Sequence, residues 1–242
     1  MTTLVVGATG ATGKHLVDQL LLIGQKVKVI VRSGRNLPEN WINNNNVIIK
    51  TGSLLKIPKS ELSAFITDCD AIASCLGHTP SFKGIYGQPR KLVTDAVKLL
   101  TEAISPNNNK KPIKFLLMNT IANWNRDLDE PINYKEKAII GFLRLLLPPH
   151  PDNEKAADFL RLNIGQNNPK VEWVAVRPDS LTNEIEVTDY DVYPSPIRSA
   201  LLNPGKTSRI NVGNFMARLI TEDELWKAWK GQMPVIYNTI EN

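Results

Sequence analysis

The first 31 residues contain the feature that most narrows what this chain can fold into. Thr3 to Val6 is a short apolar, β-rich run that breaks at Gly7-Ala8-Thr9-Gly10-Ala11-Thr12-Gly13. Lys14 to Ile23 then places Leu16, Val17, Leu20 and Leu21 on one helical stripe, and Gly24 follows where a helix C-terminus favours glycine. Val27, Val29 and Val31 make a second β-branched run, Lys26 to Val31. Strand, glycine turn, helix and strand in this order predict the first βαβ unit of a doubly wound, parallel α/β sheet.

Glycines at that turn suit a specific ligand chemistry. The diphosphate of a dinucleotide lies against backbone N–H groups at a helix start, where the helix dipole is positive. Side chains at Gly7 or Gly10 would hinder the turn or hold phosphates away, and Gly13 lets the helix approach the sheet. The spacing is G-x-x-G-x-x-G, one residue longer between the first two glycines than the common fingerprint. Gly7, Thr9, Gly10, Ala11, Thr12 and Gly13 are therefore candidate cofactor contacts; a glycine turn without a ligand is the competing account. The end of the second strand bears on which dinucleotide fits. NAD sites usually place an acid there for the ribose 2′-OH, whereas this chain reads Val31-Arg32-Ser33-Gly34-Arg35-Asn36. Arg32 and Arg35 could fork onto a 2′-phosphate, which favours NADP over NAD; solvated loop charges are the alternative.

Gly-Ala-Thr-Gly-Ala-Thr-Gly-Lys followed by Val-Arg-Ser resembles the atypical short-chain dehydrogenase/reductase family. Within it, the chain looks like the NAD(P)-binding group with NmrA-like proteins and reductases of the biliverdin-IXβ and flavin type. The resemblance implies a Rossmann-like domain and carries over further positions. After a third strand, Val47 to Lys50, Ser53 stands where the family usually has an acid near the adenine, with Leu54 beside it. Cys75-Leu76-Gly77, ending a fourth strand over Asp70 to Leu76, match residues that run past the cofactor's ribose and phosphates. On its residue type alone, Cys75 reads better as a small buried apolar side chain. Asn119-Thr120 leave a fifth strand, Ile113 to Met118, and Thr120 matches a hydroxyl that faces nicotinamide and substrate; capping of the local turn is the alternative. Pro178 follows a sixth strand, Val171 to Val176, where the family's loop passes the nicotinamide.

Between these strands, Ser60 to Thr67 and Pro89 to Ile104 read as helices, and residues 105–112 as a surface loop. Tyr134 to Leu147 reads as a very apolar helix, followed by a second helix opening at His150-Pro151-Asp152-Asn153 and running over Glu154 to Asn163. From Thr182 to Lys206 the prolines and lack of period predict an irregular segment on the substrate side. Ser208 to Val212 reads as a strand, Gly213 to Ile220 as a helix, and Met233 to Asn238 as a last strand. No repeat or linker divides the chain, so one domain over residues 1–242 is expected.

Reduction of a carbonyl needs a proton donor, which most short-chain dehydrogenases supply with Tyr-x-x-x-Lys. Four residues beyond Tyr86, Tyr134, Tyr190, Tyr193 and Tyr237 stand Arg90, Ala138, Pro194, Ile197 and Glu241, so that relay is absent. Aligning Ala156-Ala157-Asp158-Phe159-Leu160 with the family's relay helix puts His150 at the tyrosine and Glu154 at the lysine. An i, i+4 carboxylate would raise the imidazole's pKa. His150 as proton donor, oriented by Glu154 or Asp152, is thus one expectation, and His150 as a helix-start or packing residue is the other.

Composition excludes several other classes. With 42% hydrophobic residues and 29 Lys+Arg against 24 Asp+Glu, the 242-residue chain has a core to bury and only a modest net charge of +5. No Lys/Arg block points to nucleic acid, no apolar stretch of membrane length is present, and no His/Cys/carboxylate spacing suggests a metal. Two cysteines, Cys69 and Cys75, suit a reduced, cytoplasmic setting. The expected partner is a small-molecule substrate. The Ala138 to Leu147 helix is read as a core helix or, alternatively, a homodimer contact.

Overall fold

In a computed structural model of the chain, every residue is described except 36, 80, 105–110, 131–138, 143, 145 and 240–242, with only the backbone described at Lys83. The expected βαβ unit is formed by β1 (Thr2–Val6), α1 (Gly13–Leu22) and β2 (Lys26–Val31). Next come α2 (Glu39–Ile42), β3 (Val47–Thr51), a 3-10 turn over Leu54–Lys56, α3 (Lys59–Ile66), β4 (Ala71–Ser74), α4 (Phe82–Tyr86) and α5 (Leu92–Ala103). β5 (Ile113–Met118) follows, then α6 (Pro149–Phe159), which runs into a π-helical turn over Leu160–Ile164. The chain continues with β6 (Val171–Pro178), β7 (Ser180–Thr182), β8 (Tyr190–Tyr193) and β9 (Lys206–Ser208). It closes with α7 (Arg209–Thr221), α8 (Asp223–Trp229) and β10 (Val235–Asn238).

Eight strands form one sheet in the order β3-β2-β1-β4-β5-β6-β10-β8, parallel except for β8, which runs antiparallel to β10. This is a mostly parallel, Rossmann-like α/β fold. Both faces are covered, so the central strands are apolar throughout and alternate between two cores. Leu4, Val6, Phe115, Leu117, Trp173 and Ala175 pack toward α3, α5 and α6. Val5, Leu116, Val174 and Val176 pack toward α1 and α7. The register pairs Val6 with Ser74, Ser74 with Leu117, and Leu117 with Ala175. The segments leaving β1, β4, β5 and β6 therefore emerge along one sheet edge, the edge at which such folds bind ligands.

The structure corrects the sequence reading in the last third of the chain. Ser208 to Val212 is no strand: a short strand, β9, ends at Ser208, whose Oγ accepts the Asn211 N–H at 3.2 Å and starts α7. Arg209-Ile210-Asn211-Val212 alternates like a strand, but a serine cap and the continuing apolar stripe through Phe215, Met216 and Leu219 favour helix. Within α7, Gly213 touches α1 so closely that a Cβ would lie 2.8 Å from the Leu16 backbone nitrogen. The segment read as irregular contains β8 and helps form a small two-stranded sheet of β7 and β9. The expected helix over Tyr134 to Leu147 falls partly outside the described residues; 139–142 are helical, with Ile140 buried and Phe142 exposed. Among the described residues, no helix is long and apolar enough to cross a membrane.

Candidate functional site

The turn after β1 is built on close backbone contacts that exclude side chains. Gly7 has a φ of +73°, and a Cβ there would stand 2.5 Å from the Cys75 carbonyl at the end of β4. A Cβ on Gly13 would stand 2.2 Å from the Gly7 carbonyl oxygen, so the start of α1 can lie this close to the strand only with glycine. The Gly7 carbonyl accepts the Gly10 N–H at 2.9 Å, which closes the bend. Thr9, Gly10 and Ala11 at its crest are exposed, whereas Thr12 is buried. Helix α1 starts without a side-chain cap and without an acid in its first turn. First-turn N–H groups lacking such a cap, under a positive dipole end, favour an anion, and the glycine crest leaves room for one. The residues present fit a dinucleotide diphosphate.

Toward the β2 and β3 side, Gly52 donates its N–H to Val31 at 2.8 Å and holds the two strand ends together. Arg32 and Arg35 are exposed, and neither guanidinium has an ion-pair partner among the described residues. Ser53 is exposed, whereas the Leu54 side chain is buried in the core, leaving only its backbone to face a ligand. On the β4 side, the Cys75 N–H donates to Val6 at 2.9 Å, and its carbonyl is the group Gly7 packs against. Burial pushes the Cys75 thiol up to about 12, which makes it an inert small side chain. Leu76 is half-buried and Gly77 exposed on the same edge.

Beyond β5, Asn119 works as a brace. Its Oδ1 accepts the Thr120 N–H at 2.8 Å, and its Nδ2 donates to the Asn153 carbonyl at 3.0 Å. That bond ties the β5 edge to the first turns of α6 and brings Thr120 and His150 to neighbouring elements. The Thr120 hydroxyl accepts the Ala122 N–H at 3.4 Å, a weak turn contact that leaves it largely available. From β6, the Pro178 carbonyl accepts the Ile121 N–H at 3.1 Å and holds this loop down.

The charges expected around His150 are arranged otherwise. Glu154 is gripped by Arg144 through three contacts of 2.7 to 3.0 Å. His150 Nε2 lies 3.6 Å from Glu154, too far for a hydrogen bond, and is a buried nitrogen without a partner among the described residues. Burial lowers the imidazole pKa, Glu154 opposes this and Arg144 adds to it, so the net direction is down rather than up. His150 is therefore neutral at neutral pH. Asp152 does not orient it: its carboxylate accepts the Val93 and Thr94 N–H groups at 2.8 and 3.0 Å, capping α5 from a distant element. The same carboxylate meets His78 Nε2 at 2.8 Å, and His78 Nδ1 faces the Gly84 carbonyl at 3.1 Å. His78 thus ties the segment after β4 to α5 and α6, a role that sequence spacing could not reveal because 74 residues separate the partners.

Arg177 is a second residue whose role the sequence left unread. It is fully buried at the end of β6 and donates to Glu130 at 2.6 and 3.0 Å. Its remaining hydrogen bonds reach the carbonyls of Met233, Asn123 and Pro194. One guanidinium therefore fastens the loop after β5, the approach to β10 and the segment after β8. Among the described residues, no group of His, Cys, Asp and Glu could hold a metal.

This geometry agrees with sequence comparison. Residues 7–223 match the model of a family described as NAD(P)H-binding. The chain belongs to that family. Its fold recurs in a protein from Lactobacillus casei (TM-score 0.73, 14% identity, covering 99% of this chain and 100% of that one). A short-chain dehydrogenase/reductase from Veillonella parvula, solved in complex with NADP, is also similar (TM-score 0.66, 16% identity, 98% and 94% covered). So is an anaerobillin reductase from Escherichia coli O157:H7 (TM-score 0.67, 14% identity, 100% and 99% covered). At these identities the likeness is one of fold. No curated protein matches the sequence. The NAD(P)H-binding family and the Rossmann-like sheet together fit the atypical short-chain dehydrogenase/reductase group.

Proposed function

We propose that the chain is an NADP-dependent oxidoreductase that reduces a small or planar organic acceptor. The observation that carries this reading is the glycine turn, whose Gly7 and Gly13 contacts leave no room for a Cβ while α1 starts without a side-chain cap. A bound dinucleotide would supply a hydride; the protein's part is to position it and manage the proton. The turn from Gly7 to Gly13 would hold the diphosphate, and Arg32 and Arg35, without ion-pair partners among the described residues, would hold the 2′-phosphate. The backbone of Ser53 and Leu54 borders the adenine side, Cys75 to Gly77 the ribose, and Asn119 and Pro178 the nicotinamide end. Asn119 fixes Thr120, whose hydroxyl donates a hydrogen bond to the acceptor. His150, neutral and with an Nε2 that no described residue engages, adds a second polar contact, and solvent supplies the proton.

A titration of NADPH and NADH, followed by assays with quinones, flavins and aldehydes, tests this. Tight NADPH binding with turnover of at least one acceptor is expected; equal NADH affinity rejects the 2′-phosphate assignment. A regulatory protein that binds the cofactor without turnover is the second reading, favoured by one observation. Among the described tyrosines, the Tyr86 and Tyr190 hydroxyls are engaged by the Leu146 carbonyl and Asn214, and no tyrosine has a lysine one turn on. NADPH binding without turnover on any acceptor would select it. The segment from Ala138 to Leu147, where Phe142 and Leu146 are exposed, is where we place a homodimer contact, to be checked by sedimentation.

A further inference from the structure

A cavity of about 600 Å³ opens at the far end of the sheet, where residues 194–206 fold over β8 and β10. Its floor is aromatic, with the Tyr193 and Tyr237 ring centroids 6.1 Å apart and Ile197 beside them. Gly205 permits this approach, because a Cβ there would lie 2.3 Å from the Tyr237 ring. β10 stands four positions from β1 in the sheet, roughly 19 Å at the usual strand spacing, so the cavity is clear of the glycine turn; it comes closest to the β5 and β6 edge through Tyr237, which packs with Ile121.

We propose that this cavity is a second small-molecule site, one that binds an organic anion with a flat apolar body. Three features support it, none of them dependent on the dinucleotide reading. The first is charge: Arg198 and Lys206 both line the cavity without a salt-bridge partner among the described residues. Arg198 lies 5.9 Å from the Tyr237 ring centroid, so its guanidinium is placed above the floor rather than free in solvent. The acid in the lining, Asp191, already accepts the Thr239 hydroxyl at 3.2 Å. Asp179, which is not part of the lining, is near enough to interact electrostatically with Arg198 and Tyr237, but its carboxylate is held by the Gly205 and Ser180 N–H groups at 2.7 and 2.8 Å.

The second feature is an orphan. Tyr237 is 5% exposed, and its buried hydroxyl, which lies beside the Ile197 backbone, has no well-formed hydrogen bond among the described residues. A buried hydroxyl seldom goes unpaired, and this one belongs to a residue that lines an open cavity. Burial raises its pKa to about 12, so it stays protonated and can donate to an anionic oxygen. The third feature is shape. The cavity's volume is that of a small organic molecule, and its lining sets Tyr193, Ile197, Pro204 and Tyr237 beside charged and polar side chains. A guanidinium over an aromatic ring, a second cation in the lining and a phenolic hydroxyl select an aromatic carboxylate or phosphate ester over an inorganic ion.

The test is calorimetric titration of the full chain with benzoate, 2-naphthoate and phenyl phosphate, and with benzamide as the neutral counterpart of benzoate. At least one anion should bind saturably at millimolar concentration or below, and benzamide should bind roughly tenfold more weakly than benzoate. Binding should persist in saturating NADPH. Tyr237→Phe, which removes one oxygen, should weaken the anion roughly tenfold while leaving NADPH affinity unchanged. Arg198→Ala should weaken it at least as much. The proposal is overturned if all three anions fail to bind, if benzamide binds as well as benzoate, if NADPH displaces the anion, or if Tyr237→Phe binds it like the parent.

Discussion

Removing Arg32 and Arg35 tests the cofactor assignment most directly. Both side chains are exposed and lack ion-pair partners among the described residues, so truncating them strands no buried charge. Surface changes of this kind usually move stability by less than about 0.5 kcal/mol. Hydrogen bonds to charged groups contribute roughly 1.5–3 kcal/mol when sheltered. At so exposed a strand end solvent screening reduces this to about 1 kcal/mol per arginine, or about a fivefold change in affinity. Arg32→Ala should therefore raise the NADPH dissociation constant about fivefold, and the double variant about 25-fold if the two act independently. NADH, lacking the 2′-phosphate, should bind both variants as it binds the parent. Fluorescence titration of NADPH and NADH, alongside thermal melts, measures all of this. The reasoning fails if NADPH affinity is unchanged, or if NADH weakens in parallel, because the arginines would then act through the fold or through general charge.

Other expectations follow from single contacts. Gly13→Ala places a methyl group 2.2 Å from the Gly7 carbonyl oxygen; a cost of about 1–3 kcal/mol and loss of most NADPH affinity should appear together in melts and titrations. Glu130→Ala leaves Arg177 buried and unpaired at the end of β6, which should cost about 3–5 kcal/mol and lower the melting temperature by about 10 °C. His150 and His15 both have pKa values lowered, chiefly by burial, from an ordinary 6.5. The folded state thus binds fewer protons than the unfolded one, and the stability this represents is present above pH 6.5 and lost as pH falls below it. His150→Gln should flatten that acid-side loss in a melting series from neutral pH downward, and an unchanged slope would contradict the assignment.

The parallel sheet and its first turn were legible because local pattern and global fold agree there. Period-two apolar strands, a glycine bend and an amphipathic helix admit few other arrangements. β5 was delimited correctly as Ile113–Met118 for the same reason. What stayed hidden depends on long-range pairing. β8 and β10 find each other across some 40 residues, and nothing in Tyr-Asp-Val-Tyr alone says which strand it will join. The arrangement around α6 misled the sequence reading for a related reason. An i, i+4 spacing correctly put His150 and Glu154 on one face, but it could not show that Arg144 takes the carboxylate or that Asp152 turns to cap α5. Likewise, Arg177-Pro178 marked the end of a strand, while the ion pair that fixes the surrounding loops needed Glu130 from 47 residues earlier.

Those pairings bear on the chemistry the site can perform. Reducing an isolated carbonyl places negative charge on one oxygen, and the protein must answer it with a strong, well-aimed proton donor. Around the β5 and β6 edge, the groups that could have served are already engaged: Glu154 by Arg144, Asp152 by α5 and His78, and Glu130 by Arg177. His150 is neutral and Thr120 offers a hydroxyl, both weak acids at neutral pH. Such a site suits an acceptor that spreads the incoming charge over its own conjugated system and collects its proton from water. Turnover with NADPH should accordingly be at least tenfold higher, in kcat/KM, for a quinone or flavin than for an aliphatic or aromatic aldehyde, since a missing general acid costs roughly two to four powers of ten. His150→Gln should leave the quinone or flavin rate within about threefold, because a neutral ring contributes a hydrogen bond rather than a proton. An aldehyde reduced as fast as either, with activity lost on replacing His150, would mean that the imidazole is charged in the complex and that the ion pairs described above rearrange when substrate binds.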